Sequence, residues 1–503
     1  MRPIARERAV ARTADARLGS RSSAQRYGVT ASRPPVIAGS AMLSASNPHA
    51  VRAGLRALER GGNAVDAAIA AAAMLCVAEP INTGVGGDAF ALVGSGATVA
   101  GLDAAGGAPA HVEAGGPVAR RGPRSVTVPG AVGGWGALSE RFGRLGLDGC
   151  LHDAIDAAEL GLPLSPRSAA LWAAEGLCPA GFGPRTPSAG DRVRLPALAA
   201  ILRAIAEFGP QAIYRGEVAR AIASASWLEE DDLARYAPRW VSPLRATYRG
   251  HEVLELPPPT QGVVALEALL LLETQEPTLV NTVAAVALAL EDGAREVRDG
   301  ADVSRLLSRE HLDTRRAQRA SAVPAIDAGT SHLCVVDCDG LAVSLIQSLF
   351  GSFGSGVLVA GTGILLQNRG ACFATEGGVR PGQRPFHTII PGMITDGAHA
   401  TAVFGIVGGQ LQAQAHVQLV SALVDDRLDP QAALDRPRFR IDGATVLLED
   451  GLWDRAEELR DSGFAPVLSD DWTRFGSGQA IVIDGDVLIG GSDPRMDGYA
   501  AGW

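Results

Sequence analysis

The stretch GTSHLCVVDCDGLAVSLIQSLF, residues 329–350, decides the fold. Residues 333–337 and 341–349 are apolar, β-branched-rich runs separated by Cys338-Asp339-Gly340. Asp-Gly is a strong hairpin signal, because glycine accepts the positive φ that a tight turn demands. The runs predict an antiparallel β-hairpin with Thr330 at the open mouth of its first strand. On its own, a small residue before a hydroxyl residue at a strand start reads as a plain bend.

The flanking sequence changes that reading. Gly351-Ser352-Phe353-Gly354-Ser355-Gly356 and GTGILLQN (361–368) follow the hairpin. GGNAVDAAIA (61–70) and Val128-Pro129-Gly130 with Gly134-Trp135 precede it. Taken in order with Thr330-Ser331-His332, these segments resemble the γ-glutamyltransferase family of N-terminal-nucleophile hydrolases, from Val36 to the C-terminus. The resemblance implies an α/β (α+β) fold, an αββα sandwich of two stacked sheets between helical layers. It also implies self-cleavage at Gly329–Thr330, into a large part (33–329) and a small part (330–503) that remain together as a heterodimer. Residues 1–32, rich in Arg, Ala and Ser, read as a tail outside that domain.

Threonine is a poor nucleophile without a base beside it. If the Gly329–Thr330 bond is cut, the new α-amino group, with a reference pKa of about 7.7–8.0, can take the hydroxyl proton. No separate histidine is required, so His332 reads as a satisfied structural residue and Ser331 as one that orients the strand end. An oxyanion needs preorganised donors, each worth roughly 3–4 kcal/mol. Gly408-Gly409, between a predicted strand and a helix over 411–424, match the family's oxyanion glycines; a tight strand-to-helix turn is the alternative use. Ser348 matches the position of a hydroxyl that helps hold the nucleophile.

The substrate pocket departs from the family pattern. Ala105 stands where typical γ-glutamyl enzymes place the arginine that grips the α-carboxylate, and Cys372 where an acid binds the α-amino group. His387-Thr388 replace a serine pair, and Phe350 replaces an asparagine. Losing buried polar partners together changes what a site accepts by orders of magnitude. The wording RPFHTIIPG (384–392) and LLQNRG (365–370) instead resembles a divergent branch with oxamate amidohydrolase and cephalosporin-acylase relatives. Arg369, His387 and Thr388 are the candidates to hold a substrate carboxylate, with a structural ion pair as the alternative use of Arg369. The expected activity is hydrolysis of an amide of a small carboxylated acyl group. The rivals are a γ-glutamyl hydrolase or transpeptidase, a C–C bond hydrolase of the same family, and a non-catalytic scaffold.

Composition narrows the field further. The chain has 503 residues, 47% hydrophobic and 20% charged, which is ample for a packed core. Its net charge of −10, with every basic residue an arginine, argues against nucleic acid as a partner. The six cysteines are scattered without C-x-x-C or His-pair spacing, so neither metal nor cofactor is expected and buried free thiols are. Gly84-Val85-Gly86-Gly87 leads into a strand, which excludes a P-loop or dinucleotide cradle. No apolar run reaches the length of a membrane span, and the basic N-terminus lacks a secretory apolar core, so a cytoplasmic location is expected. Residues 36–46 read as one strand, 136–240 as mainly helical, and 310–328 as a polar linker without an apolar stripe. Further oligomerisation is left open.

Overall fold

The computed structural model describes residues 32–116, 118–176, 185–323, 325–376 and 378–503, with the side chains of 374–376 excepted. Apart from Ser32, the expected tail lies outside the described residues, as does Cys178.

The predicted hairpin forms from Gly329–Val336 and Ala342–Phe350, antiparallel, with Val336 opposite Ala342. Its turn holds Gly340 at φ +78°, and the Asp337 carboxylate accepts from the N–H groups of Asp339 and Leu341. The other Asp337 oxygen accepts from Ala64 N at 2.8 Å, so the turn acid also caps the helix Ala64–Ala78. That helix starts with a reciprocal Asn63–Asp66 capping box and is buried along its whole length.

Both hairpin strands are apolar at nearly every position because both faces are covered. Leu333, Val335, Val343 and Leu345 pack toward a helical layer that includes Ala64–Ala78. Cys334, Val336, Ala342 and Ile346 pack toward Leu254, Met393, Val403 and Ile481 of the second sheet. The hairpin's sheet has seven strands in the order Tyr499–Gly502, Met42–Ala45, Gly329–Val336, Ala342–Phe350, Asp88–Ser95, Thr98–Ala104, Arg239–Val241. The facing sheet also has seven, in the order Val36–Ala38, Val487–Ser492, Ser477–Asp484, Ala400–Val407, Gly392–Thr395, His251–Glu255, Leu244–Tyr248. Its outer face is covered by the helices Gly262–Leu272, Leu279–Glu296 and Leu411–Val424. This is the αββα sandwich. Both sheets interleave strands from before and after Gly329–Thr330, so cutting that bond leaves every strand pairing outside it in place.

Two expectations need correcting. Residues 36–46 form two strands, Val36–Ala38 and Met42–Ala45, because Gly39, Ser40 and Ala41 turn to donate to the carbonyl of Trp503. The polar segment 310–328 begins in the helix Arg309–Arg315, held by the buried Arg315 guanidinium against Asp292 at 2.7 Å and Glu291 at 2.7 Å. No helix among the described residues is long and apolar enough to cross a membrane.

Candidate active site

Thr330 is buried, and the strand pairing slips beside it: Gly329 faces Phe350, but Ser331 faces Gln347. The slip is a β-bulge at Ser348-Leu349, a device that re-aims a side chain. Here it turns the Ser348 hydroxyl onto the junction. Ser348 Oγ donates to Gly329 O at 2.7 Å and accepts from Thr330 Oγ1 at 3.3 Å and Phe350 N at 2.7 Å. One hydroxyl thus touches both the Thr330 hydroxyl and the Gly329 carbonyl, the two groups of the expected junction. Phe350 closes the bulge at φ +73°, a strained conformation for a side chain of its size and of the kind that collects at functional sites.

The strand Ala400–Val407 runs through Gly408 (φ +127°) and Gly409 (φ +65°) into the helix Leu411–Val424. A Cβ on Gly409 would lie 2.2 Å from Ile326 O and 2.8 Å from Ala328 N. Gln410 N donates to Ile326 O at 2.8 Å. In the uncut chain, residues 326–328 therefore lie over Gly409, one of the two glycines predicted to hold the oxyanion. Gln261 Nε2 donates to Thr388 O at 2.6 Å and Gly409 O at 3.1 Å, tying this turn to the candidate carboxylate site.

Arg369 is fully buried, with Cζ 4.2 Å from the Phe350 ring centre and Nη1 donating to Thr388 Oγ1 at 3.3 Å. Its Nε and Nη2 have no hydrogen-bond partner among the described residues. Burial depresses its pKa, opposed by Cys372 and Asp88. Ala105 lies in the core between the sheets, and the nearby Arg384 is committed to Asp103 at 2.6 Å, both buried. Arg384 thus supplies no substitute clamp, while Arg369 keeps donors free.

His387 is held differently. Its Nδ1 lies 2.6 Å from Pro385 O and its Nε2 3.2 Å from Asp88 Oδ2, so both nitrogens are spent inside the protein. Burial and the Arg369 charge hold its pKa below the ordinary value, opposed by the carboxylates of Asp88 and Asp103. His387 thus bridges Pro385 and Asp88 beside Thr388, the other residue expected at the carboxylate site. His332 sits between the sheets against Gly405, with Nε2 2.9 Å from Ser344 Oγ and its pKa driven well down by burial.

Several contributors escaped the sequence reading. Glu79, read only as a helix terminator, accepts from Ser331 Oγ at 2.6 Å, directly beside Thr330. Burial pushes its pKa up to about 7, against hydrogen bonds from Ser331, Ser46 and Asn82. A carboxyl raised from 4.5 favours folding below that value and loses the contribution as pH rises through 7. We expect Glu79→Gln, neutral throughout, to gain on the order of 2–3 kcal/mol over wild type between pH 5 and pH 8. Urea midpoints at the two pH values check this, and a gap independent of pH would refute it. Asp88 was passed over as part of a glycine turn; an acid inside an apolar run was the signal.

A second polar cluster, Glu267, Asp292 and His311, lies behind the facing sheet. His311 Nδ1 faces Arg305 at 3.1 Å, so Nε2 carries the proton toward Glu267 at 2.8 Å. Arg315 neutralises Asp292, and burial pushes Glu267 up to about 8. This is a self-balanced structural network.

A sequence model of the gamma-glutamyltranspeptidase family matches residues 50–503. The chain belongs to this family. It is 33% identical to the glutathione hydrolase-like YwrD proenzyme of Bacillus subtilis, over 91% of this chain and 97% of that protein. It is also 33% identical to the oxamate amidohydrolase proenzyme of Klebsiella pneumoniae, with the same coverage. Cephalosporin acylase from Bacillus halodurans superposes with a TM-score of 0.88 at 37% identity, covering 95% of this chain and 98% of that one. The divergent branch, the N-terminal-nucleophile hydrolase fold and a self-processing amidohydrolase activity follow for this γ-glutamyltranspeptidase relative.

Proposed function

We propose that this enzyme hydrolyses amides of short acyl groups that carry a second carboxylate, with Thr330 as its N-terminal nucleophile. The observation that carries the reading is Arg369, a fully buried guanidinium with two unused donors, stacked on the residue that faces Gly329. A buried charge left short of partners, here with Thr388 and Cys372 beside it, is costly, and such a cost persists where a ligand completes the set. In this reading Arg369 and Thr388 grip the carboxylate, with Phe350 as the floor beneath. Thr330 attacks the amide carbon, its own α-amino group takes the hydroxyl proton, and Gly408-Gly409 hold the oxyanion. The amine leaves and water hydrolyses the acyl-enzyme. Fragments 33–329 and 330–503 act as one heterodimer.

A γ-glutamyl substrate is the second reading, favoured by the name of the B. subtilis relative. Against it, Ala105 offers no guanidinium and Cys372 no dependable anion for the α-ammonium. A charge buried without a partner costs several kcal/mol, a loss of about three decades. The test compares kcat/KM for a γ-glutamyl anilide with oxamate and with succinyl and glutaryl anilides. We expect an α-amino-free compound to lead by about a hundredfold or more; preference for the γ-glutamyl compound, with efficient transfer to a dipeptide, would overturn the proposal.

A further inference from the structure

Arg440 is 1% exposed, and its acidic partner among the described residues is Asp327, three positions before Thr330. Asp327 also pairs with Arg474 at 3.3 Å, while Arg440 Nη1 donates to Arg474 O at 3.1 Å. Arg474 has one further acid, Asp442. Two guanidiniums and two carboxylates thus balance in the uncut chain. Arg440 Nε and Arg474 Nε remain buried without hydrogen-bond partners.

That balance cannot survive activation. Residues 326–328 overlie Gly409, and a substrate carbonyl reaches the oxyanion donors only once they leave. Their departure takes Asp327 with it and leaves two guanidiniums facing the single carboxylate of Asp442. Arg474 lines the cleft of about 350 Å³ that also contains Thr330 and Gly408, so the uncompensated charge opens onto the reacting centre. This cleft is open to solvent, whereas Arg369 is buried beside Phe350 and does not line it. The acyl part is retained through two steps and the amine must escape, so the cleft is the amine's side.

Resting on the amidohydrolase reading above, we infer that Arg440 and Arg474 form a carboxylate site on the leaving-group side. Asp327 fills it before processing, and a carboxylate on the amine half of the substrate fills it afterwards. The preferred substrates are then N-acyl amino acids or N-acyl aminobenzoates rather than simple amides, and Asp327 doubles as a built-in inhibitor of the precursor.

The test is calorimetric titration of 4-aminobenzoate and aniline into three proteins: processed wild type, processed Arg474→Gln, and the uncut Thr330→Ala chain. Processed wild type should bind the carboxylate compound at least tenfold more tightly. That preference should fall below twofold in Arg474→Gln and in the precursor, where Asp327 still occupies the site. Equal binding of both amines by processed wild type, or a preference that persists in the precursor, overturns the inference. If Arg474→Gln fails to process, the precursor comparison decides alone. Because no acyl group is involved, this result stands apart from whether the acyl specificity is correct.

Discussion

Thr330→Ala should accumulate as one folded, inactive chain, while wild type runs on a denaturing gel as fragments of 329 and 503 − 329 = 174 residues. The uncut geometry explains why. Thr330 Oγ1 and Gly329 O meet on the same Ser348 hydroxyl, at 3.3 and 2.7 Å. Attack by Thr330 Oγ on the Gly329 carbon breaks the peptide C–N bond and forms an ester, and Ser348 stabilises the negative oxygen that develops. That cleavage frees the Thr330 amine, and water then hydrolyses the ester to the Gly329 carboxylate and the Thr330 hydroxyl. Alanine removes the attacking atom but only a methyl and a hydroxyl from a buried strand, so folding should persist. Thr330→Ser keeps the hydroxyl without the positioning methyl group and should retain partial processing and turnover. Ser348→Ala removes one donor to the developing oxyanion and should slow processing by about 10²–10³. Cleavage of Thr330→Ala at the same bond, or normal turnover by it, would remove Thr330 from its role.

The same cut has a second consequence. The residues that lead to Gly329 continue back across Gly409, so the bond that hides the α-amino group also anchors the segment over that candidate oxyanion glycine. In the proposed reading, nucleophile and oxyanion site are released by one event.

How much of this was legible in the sequence depends on the range of the interaction. The hairpin could be read because each strand is buried on both faces and its turn demands Gly340 at positive φ. The helix 64–78 announced itself with Asn63, Asp66 and a run of alanines. Residues 310–328 misled, because the force ordering their start is the buried Arg315–Asp292 contact, invisible to local periodicity. Asp327 meets Arg440 across 113 positions. His387 looked available because its sequence neighbours do not reveal that Asp88, 299 residues away, takes one nitrogen. Arg369 was readable as a candidate only; its lack of partners is a property of the packed site.

That lack yields the sharpest prediction for the acyl pocket, because activity and stability should move in opposite directions. An arginine kept for structure costs stability when removed. Arg369 instead bears two buried nitrogens, Nε and Nη2, without hydrogen-bond partners among the described residues, and burial already pulls its pKa down. Arg369→Met keeps the contact with the Phe350 ring and removes the desolvated charge. Its thermal midpoint should therefore equal or exceed that of wild type, since buried charges replaced by apolar side chains of similar size are often neutral or stabilising. Catalysis should suffer heavily. Truncating one member of a buried charge pair costs about 2–5 kcal/mol, so kcat/KM for a succinyl or glutaryl anilide should fall by roughly 30- to several-thousandfold. A neutral acyl anilide of equal length should lose less than fivefold, because its acyl chain never met the guanidinium. Measuring both substrates and the melting midpoint separates the outcomes. A destabilised Arg369→Met that loses both substrates equally would make the guanidinium structural, and the carboxylate grip would have to be sought elsewhere in the pocket.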